Sequence, residues 1–150
     1  MFAAAAAEAP LTNLVTMFGT VYWRGRLADS TLRRIASRRF AQEFWDSSSV
    51  YVRNSPIFHA GNVSTPLLLQ HNESDTIVDF NQGTDFYNTL RGLGKPVVLV
   101  QYAGEGHNLT NAANQMDYAK RLSEFFSHFL QGGPTPDWWT SSTSREQARD

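Results

Sequence analysis

Hydrophobic and polar positions along the 150-residue chain fall into blocks of two kinds. Pro66-Leu-Leu-Leu-Gln70 and Pro96-Val-Val-Leu-Val-Gln-Tyr102 are continuous apolar runs. Runs of that kind are expected of strands buried on both faces of a parallel sheet, and the second is rich in β-branched residues. Between them, Phe86, Leu90 and Leu93 recur at helical spacing. Asp79 is placed to cap that helix, Gln82 stands at the capping-box position, and Gly92 and Gly94 offer C-terminal caps. After the second run, Ala119, Leu122, Phe126, Phe129 and Leu130 form one helical face, which Gly132-Gly133-Pro134 stops. Strand, helix, strand, helix in this order predicts parallel strands with crossovers, an α/β fold. Only two or three strands are present, so the sheet reads as part of a larger one.

The first third is less regular. Phe2 to Ala7 is short and apolar and is broken by Glu8-Ala9-Pro10; periodicity leaves strand and helix open there. Residues 12–29 carry Phe18, Tyr22 and Trp23 in a loop-like setting. Leu32, Ile35, Ala36, Phe40 and Phe44 recur at helical spacing behind Ser30 as N-cap. Ser47-Ser48-Ser49 reads as a polar linker, Asn54-Ser-Pro56 as the end of an extended piece, and Gly61-Asn62 as a turn. Residues 141–150 are polar and aperiodic and read as a tail behind a single unit, residues 1–140.

Composition changes this picture little. An apolar share of 41% excludes a wholly disordered chain, and a domain of this length can bury ~70% of its unfolded surface. The absence of cysteine excludes disulfides and thiolate metal sites. No apolar run approaches the ~20 residues of a membrane helix, and the opening residues lack the basic region of a signal peptide. A net charge of −1 gives no steering toward nucleic acid or an anionic membrane. The charge is uneven, with seven arginines from Arg24 to Arg53 opposed by Asp29, Glu43 and Asp46. No nucleic-acid motif accompanies them, so a solvated helix face is the favoured reading over a phosphate-binding one.

Chemistry concentrates in two loops. Asp75 follows the first apolar run and His107 the second. Loops leaving the carboxyl ends of parallel strands meet at one edge of the sheet, where such folds place their sites. A carboxylate and an imidazole there can pair, the acid orienting the ring and the ring moving the proton. Acid before histidine is also the chain order of the last two members of an α/β-hydrolase triad. The bland alternative is a turn-forming Asp and a surface His. No Gly-x-Ser-x-Gly elbow occurs in the 150 residues. His71, Glu73 and Asp75 alternate and could in principle hold a metal, but no metalloprotease pattern is present. Gly104-Glu-Gly106 lacks the Lys-Ser/Thr of a phosphate loop, and His59 and His128 read as structural. Asn62-Val-Ser64, Asn72-Glu-Ser74 and Asn108-Leu-Thr110 match the glycosylation triplet, a pattern common by chance.

At these residues the sequence resembles the prolyl oligopeptidase family of serine peptidases. The likeness runs from Phe2 to about Thr140. It is carried by Phe2-Ala-Ala with Ala9-Pro10-Leu-Thr-Asn13, by Asn54-Ser-Pro-Ile-Phe58, and by Val63 through His71 leading to the acid. It continues in Asn72-Glu-Ser-Asp75 with Val78 and Gln82-Gly83, in Tyr87 through Lys95, in Tyr102 with Gly104-Glu-Gly-His107, and in Phe125-Phe126, Leu130-Gln-Gly132 and Pro136-Asp-Trp138. Asn72 departs from the glycine common in the wider family.

The resemblance implies the C-terminal half of an α/β-hydrolase peptidase domain, with Asp75 as triad acid, His107 as base, and no metal or organic cofactor. It implies a peptide substrate for the complete enzyme, and a nucleophilic serine, a preceding half-domain and a β-propeller outside these residues. The isolated chain is then expected to be inactive and, with its opening strand unpaired, to self-associate. An esterase or lipase of the same fold and a non-enzymatic interaction module are the alternatives.

Overall fold

The computed structural model describes residues 2–19, 39–41 and 44–140. Three parallel strands, β1 (Ala5–Glu8), β2 (Leu67–Gln70) and β3 (Val97–Val100), lie side by side in the order β1-β2-β3. Only the end of the opening apolar run, Ala5–Ala7, is strand, and Glu8 extends it rather than breaking it. Pairing is in step throughout: Ala5 sits beside Leu67 and Leu67 beside Val97, ending with Glu8 beside Gln70 and Gln70 beside Val100.

The two-residue period of the strands divides the core into two layers. Ala7, Leu67, Leu69, Val97 and Leu99 face Phe86 and Leu90 of helix α3 (Phe80–Gly92). A 3₁₀ helix, Pro56–Asn62, adds Ile57 and Ala60 to that layer. Leu68, Val98 and Val100 face Tyr118, Leu122, Phe125 and Phe129 of helix α4 (Ala112–Gln131), with Trp138 and Trp139 of the short α5 (Asp137–Thr140) closing over them. Helices thus cover both faces, which is why the strand runs show no polar alternation.

Two helical stripes differ from expectation. Leu93 is 51% exposed because it caps α3 rather than joining its stripe; Gln82 and Gly83 take the buried positions instead. On α4, Ala119 and Leu130 face solvent, and the buried line runs through Tyr118, Leu122, Phe125 and Phe129. The large Tyr118 and Phe125 side chains set that line, and an alanine contributes too little area to compete. Both helices end as expected: Gly94 and Gly132 adopt left-handed φ of 67° and 70°.

A second cluster lies toward the N-terminus. Residues expected to be loop form α1 (Leu14–Gly19), in whose first turn the Val15 and Thr16 N–H groups donate to Asn13 Oδ1. The serine run is not a linker. Ser47 is the N-cap of α2 (Ser48–Arg53), and Asn54 closes that helix rather than an extended piece. Tyr51 overrides local preference here: it is fully buried against Leu14 and Met17, with the rings of Phe40 and Phe44 at 5.2 and 5.3 Å. Gly61-Asn62 falls inside the 3₁₀ helix instead of forming a separate turn. The Ser30-capped arginine helix up to Arg38, the aromatics Tyr22 and Trp23, and the tail 141–150 lie outside the described residues.

One buried side chain holds this cluster together and another ties it to the sheet layers. Ser55 Oγ joins α1 to α2, accepting from Leu14 N and donating to the Tyr51 carbonyl. Gln82 of α3 reaches across to the residues around the start of α1. Gln82 does not complete a capping box with Asp79. Its Oε1 accepts from Thr12 N and Asn13 N, and its Nε2 donates to Asn13 O and Thr16 Oγ1. Among the described residues no helix is long and apolar enough to cross a membrane.

Candidate active site

Since Gln70 and Val100 share a rung, the loops that follow them start level and side by side. The first folds around its own acid. Asp75 Oδ1 accepts from Ile77 N at 2.7 Å and Val78 N at 2.9 Å, an Asx-type turn that aims the other oxygen across the gap. That oxygen, Oδ2, lies 2.9 Å from His107 Nδ1 on the second loop. The carboxyl group is wholly buried, while the imidazole is 31% exposed. A carboxylate can only accept, so Nδ1 carries the proton and donates. The neutral ring then presents its lone pair on Nε2, which has no hydrogen-bond partner among the described residues. The structure therefore brings together the two residues singled out in the sequence, with the buried acid behind and the accessible ring in front.

The second loop is anchored by groups the sequence reading passed over. Asn72 Oδ1 accepts from Tyr102 N and Gln70 Nε2, and its Nδ2 donates to the Gly106 carbonyl, the residue before His107. Glu105 is nearly inaccessible and accepts from Thr110 N, Thr110 Oγ1, Asn111 N and Asn114 Nδ2. Hydrogen bonds from Thr110, Asn114 and Asn111 hold its carboxyl down at about 2 against the usual 4.5. Asn111 itself caps α4, accepting from Ala113 N and Asn114 N. The signal for Glu105 was a carboxylate a few residues ahead of a helix N-terminus, where bare N–H groups gather.

His71 is the other omission. It is buried, and its Nε2 lies 3.2 Å from Asp75 Oδ2 and 3.1 Å from the Val78 carbonyl. The alternating His71, Glu73, Asp75 set does not converge: Glu73 is exposed and lies 3.5 Å from Gln101 Nε2. Among the described residues no group of three or more potential ligands gathers to hold a metal. His59 contacts the Arg53 carbonyl and His128 the Gly133 carbonyl, both local structural roles. Of the three glycosylation triplets, Asn72 is buried and bonded on both sides of its amide, which bars a glycan there; Asn62 and Asn108 are exposed.

Comparison with known proteins bears on this arrangement. The model of the prolyl oligopeptidase family matches residues 1–133. The uncharacterized peptidase YuxL of Bacillus subtilis is 34% identical over 88 residues, covering 59% of this chain and 13% of that protein. The human acylamino-acid-releasing enzyme is 29% identical over 119 residues, 77% of this chain and 16% of the enzyme. Among solved structures, the Pyrococcus horikoshii acylaminoacyl peptidase superposes with a TM-score of 0.74 at 25% identity, covering 90% of this chain and 21% of that one. Dipeptidyl peptidase 4 of Porphyromonas gingivalis shares the fold at 19% identity, with a TM-score of 0.68 over 86% of this chain and 16% of its own. The chain spans between about an eighth and a fifth of these proteins.

Proposed function

The chain belongs to the prolyl oligopeptidase family, and from that premise we propose that Asp75 and His107 are the acid and base of a Ser–His–Asp triad that hydrolyses peptide bonds. The observation that carries this reading is the 2.9 Å contact between His107 Nδ1 and Asp75 Oδ2, which leaves Nε2 open at the strand-end edge of the sheet. His107 Nε2 takes the proton of a serine hydroxyl as the oxygen attacks the scissile carbonyl. The imidazolium, held by Asp75, returns that proton to the leaving amine. Water then repeats the cycle and releases the acyl group, so the enzyme ends unchanged. The serine is supplied from outside these 150 residues, which contain no Gly-x-Ser-x-Gly elbow.

The substrate class is a short peptide. Relatives named acylamino-acid-releasing enzymes and a probable dipeptidyl-peptidase 5 frame the narrower choice between a blocked and a free amino terminus. The test is made on the complete gene product and on the 150-residue chain alone. The complete protein is expected to react stoichiometrically with a fluorophosphonate and to cleave short peptides in preference to acyl esters. His107→Ala is expected to abolish cleavage, and the isolated chain to remain unlabelled. Peptidase activity that survives His107→Ala, or labelling of the isolated chain, would overturn the assignment. A preference for acyl esters would move it to the esterases of the same fold.

A further inference from the structure

Asp75 Oδ2 serves two imidazoles. His107 reaches it from the second loop, and His71, wholly inside the protein, reaches it from the end of β2. The protonation of His71 is fixed by what surrounds it. Its Nε2 faces two acceptors, Asp75 Oδ2 and the Val78 carbonyl, so Nε2 must bear the hydrogen. Its Nδ1 has no partner and lies against the α3 backbone, where a Cβ on Gly83 would come within 2.5 Å. A hydrogen on Nδ1 would be buried without an acceptor. The neutral Nε2–H tautomer is the one form that suits both sides.

We propose that His71 is a positioning residue for the Asp75–His107 pair, an Nε2–H donor that shares the acceptor oxygen of the triad acid and fixes its direction. This rests on the proposed triad.

The chemistry calls for such a group. Asp75 receives four N–H donors, two at each oxygen, so the carboxylate cannot rotate away as His107 gains and loses its proton. A cation in the place of His71 would compete with the His107 imidazolium for the same oxygen. Burial prevents this: it holds the His71 imidazole below its ordinary 6.5, outweighing the opposite pull of Val78 and Asp75. Among the described residues, Asp75 and His107 are the titratable groups whose charges act on His71, and α3 brings the Phe80 ring at 5.4 Å and the Gly83 backbone against it. The glycine is what admits the ring so close to the helix.

The experiment is the pH profile of kcat/KM for the complete gene product carrying His71→Leu, His71→Gln or Gly83→Ala, with His107→Ala as reference. Leucine fills similar volume but cannot donate. Its loss leaves the Asp75 charge less shared, so the imidazolium of His107 is held more tightly. The acid limb of His71→Leu is expected to move up by about half a pH unit and kcat to fall about tenfold at unchanged KM. His71→Gln, which can donate from nearly the same place, is expected to restore most of both. Gly83→Ala, which keeps the imidazole but crowds it off Asp75, is expected to move the limb the same way, and stands in if His71→Leu does not fold. An unmoved limb in the folded variants, or a glutamine no better than leucine, would overturn the role of His71. Activity that survives His107→Ala would instead overturn the triad beneath it.

Discussion

Asn72 donates its Nδ2 to the carbonyl of Gly106 at 2.8 Å, so the loop that carries Asp75 holds the residue that precedes His107. The same amide accepts from Tyr102 N at 3.0 Å and from Gln70 Nε2 at 2.8 Å. The separation of Asp75 from His107 is therefore set by a bridge that neither residue makes. Asn72→Ala strands the partly buried Gly106 carbonyl and Tyr102 N–H and the buried Gln70 amide. It is expected to cost on the order of 1–3 kcal/mol in urea unfolding, and in the complete gene product to lower kcat although both members of the pair remain. Wild-type stability and turnover in Asn72→Ala would show that the bridge is dispensable.

Asp75→Asn tests the acid directly. One oxygen facing two imidazole donors is replaced by an NH₂ or left unable to bear the charge, and His107 loses the reason to keep its hydrogen on Nδ1. Loss of the acid in such a triad lowers kcat by about 10⁴-fold, and a drop of that order with little change in KM is expected here. A loss of less than about tenfold would not fit the role.

Acid should weaken the fold in two stages. His71 lies below 6.5 in the folded chain, so its contribution is complete above that value and declines as pH falls beneath it. Glu105, at about 2 when folded and 4.5 when free, contributes fully above 4.5 and loses its contribution between there and 2. Glu105→Gln is expected to flatten the second stage and leave the first in place. Urea midpoints measured from pH 7 to pH 2 separate the two.

No described strand pairs with the outer edge of β1. The N–H groups of Ala5 and Ala9 donate to Pro66 O and Gln70 O, so those of Ala6 and Glu8 point the other way. The isolated 150-residue chain is expected to self-associate through this edge, and Ala6→Lys to reduce the association. Sedimentation velocity checks it; a wild-type chain that runs as a single monomer would overturn the association, and association unchanged in Ala6→Lys would count against the edge as its cause.

What was legible in the sequence follows from the range over which each cause acts. The runs Leu67–Gln70 and Val97–Val100 announce themselves because burial on both faces leaves no polar position. Asp75 and His107 could be found because each stands a fixed short way past such a run. His71 lies in the same stretch but stands out only as one of an alternating set with Glu73 and Asp75, since its partners are a carboxylate, a carbonyl and a glycine on the next helix. Asn72 and Gly106 are 34 residues apart, and no periodicity records such a bond. Tyr51 turned a serine-rich stretch into a helix through rings that propensity does not weigh. Leu93 and Ala119 show the limit of the helical stripe: its existence was plain, but its centre was set by Phe86 and Leu90 in one helix and by Tyr118 and Phe125 in the other.

The in-step pairing of β2 with β3 has a further consequence for how this protein can change. The loops that carry Asp75 and His107 depart from one rung, Gln70 beside Val100, and every residue of α3 lies on the detour between them. Extra residues at the far end of that detour, around Gly92–Pro96, lengthen the route without altering where it returns, provided the rung is kept. A slip of β3 by a single residue would displace His107 by about 3.3 Å and turn Val98 to the wrong layer. The connection at the far end of the sheet therefore does not set where β3 returns: the hydrogen-bond ladder fixes the level at which the two loops begin, and the Asn72 bridge fixes the gap between Asp75 and His107.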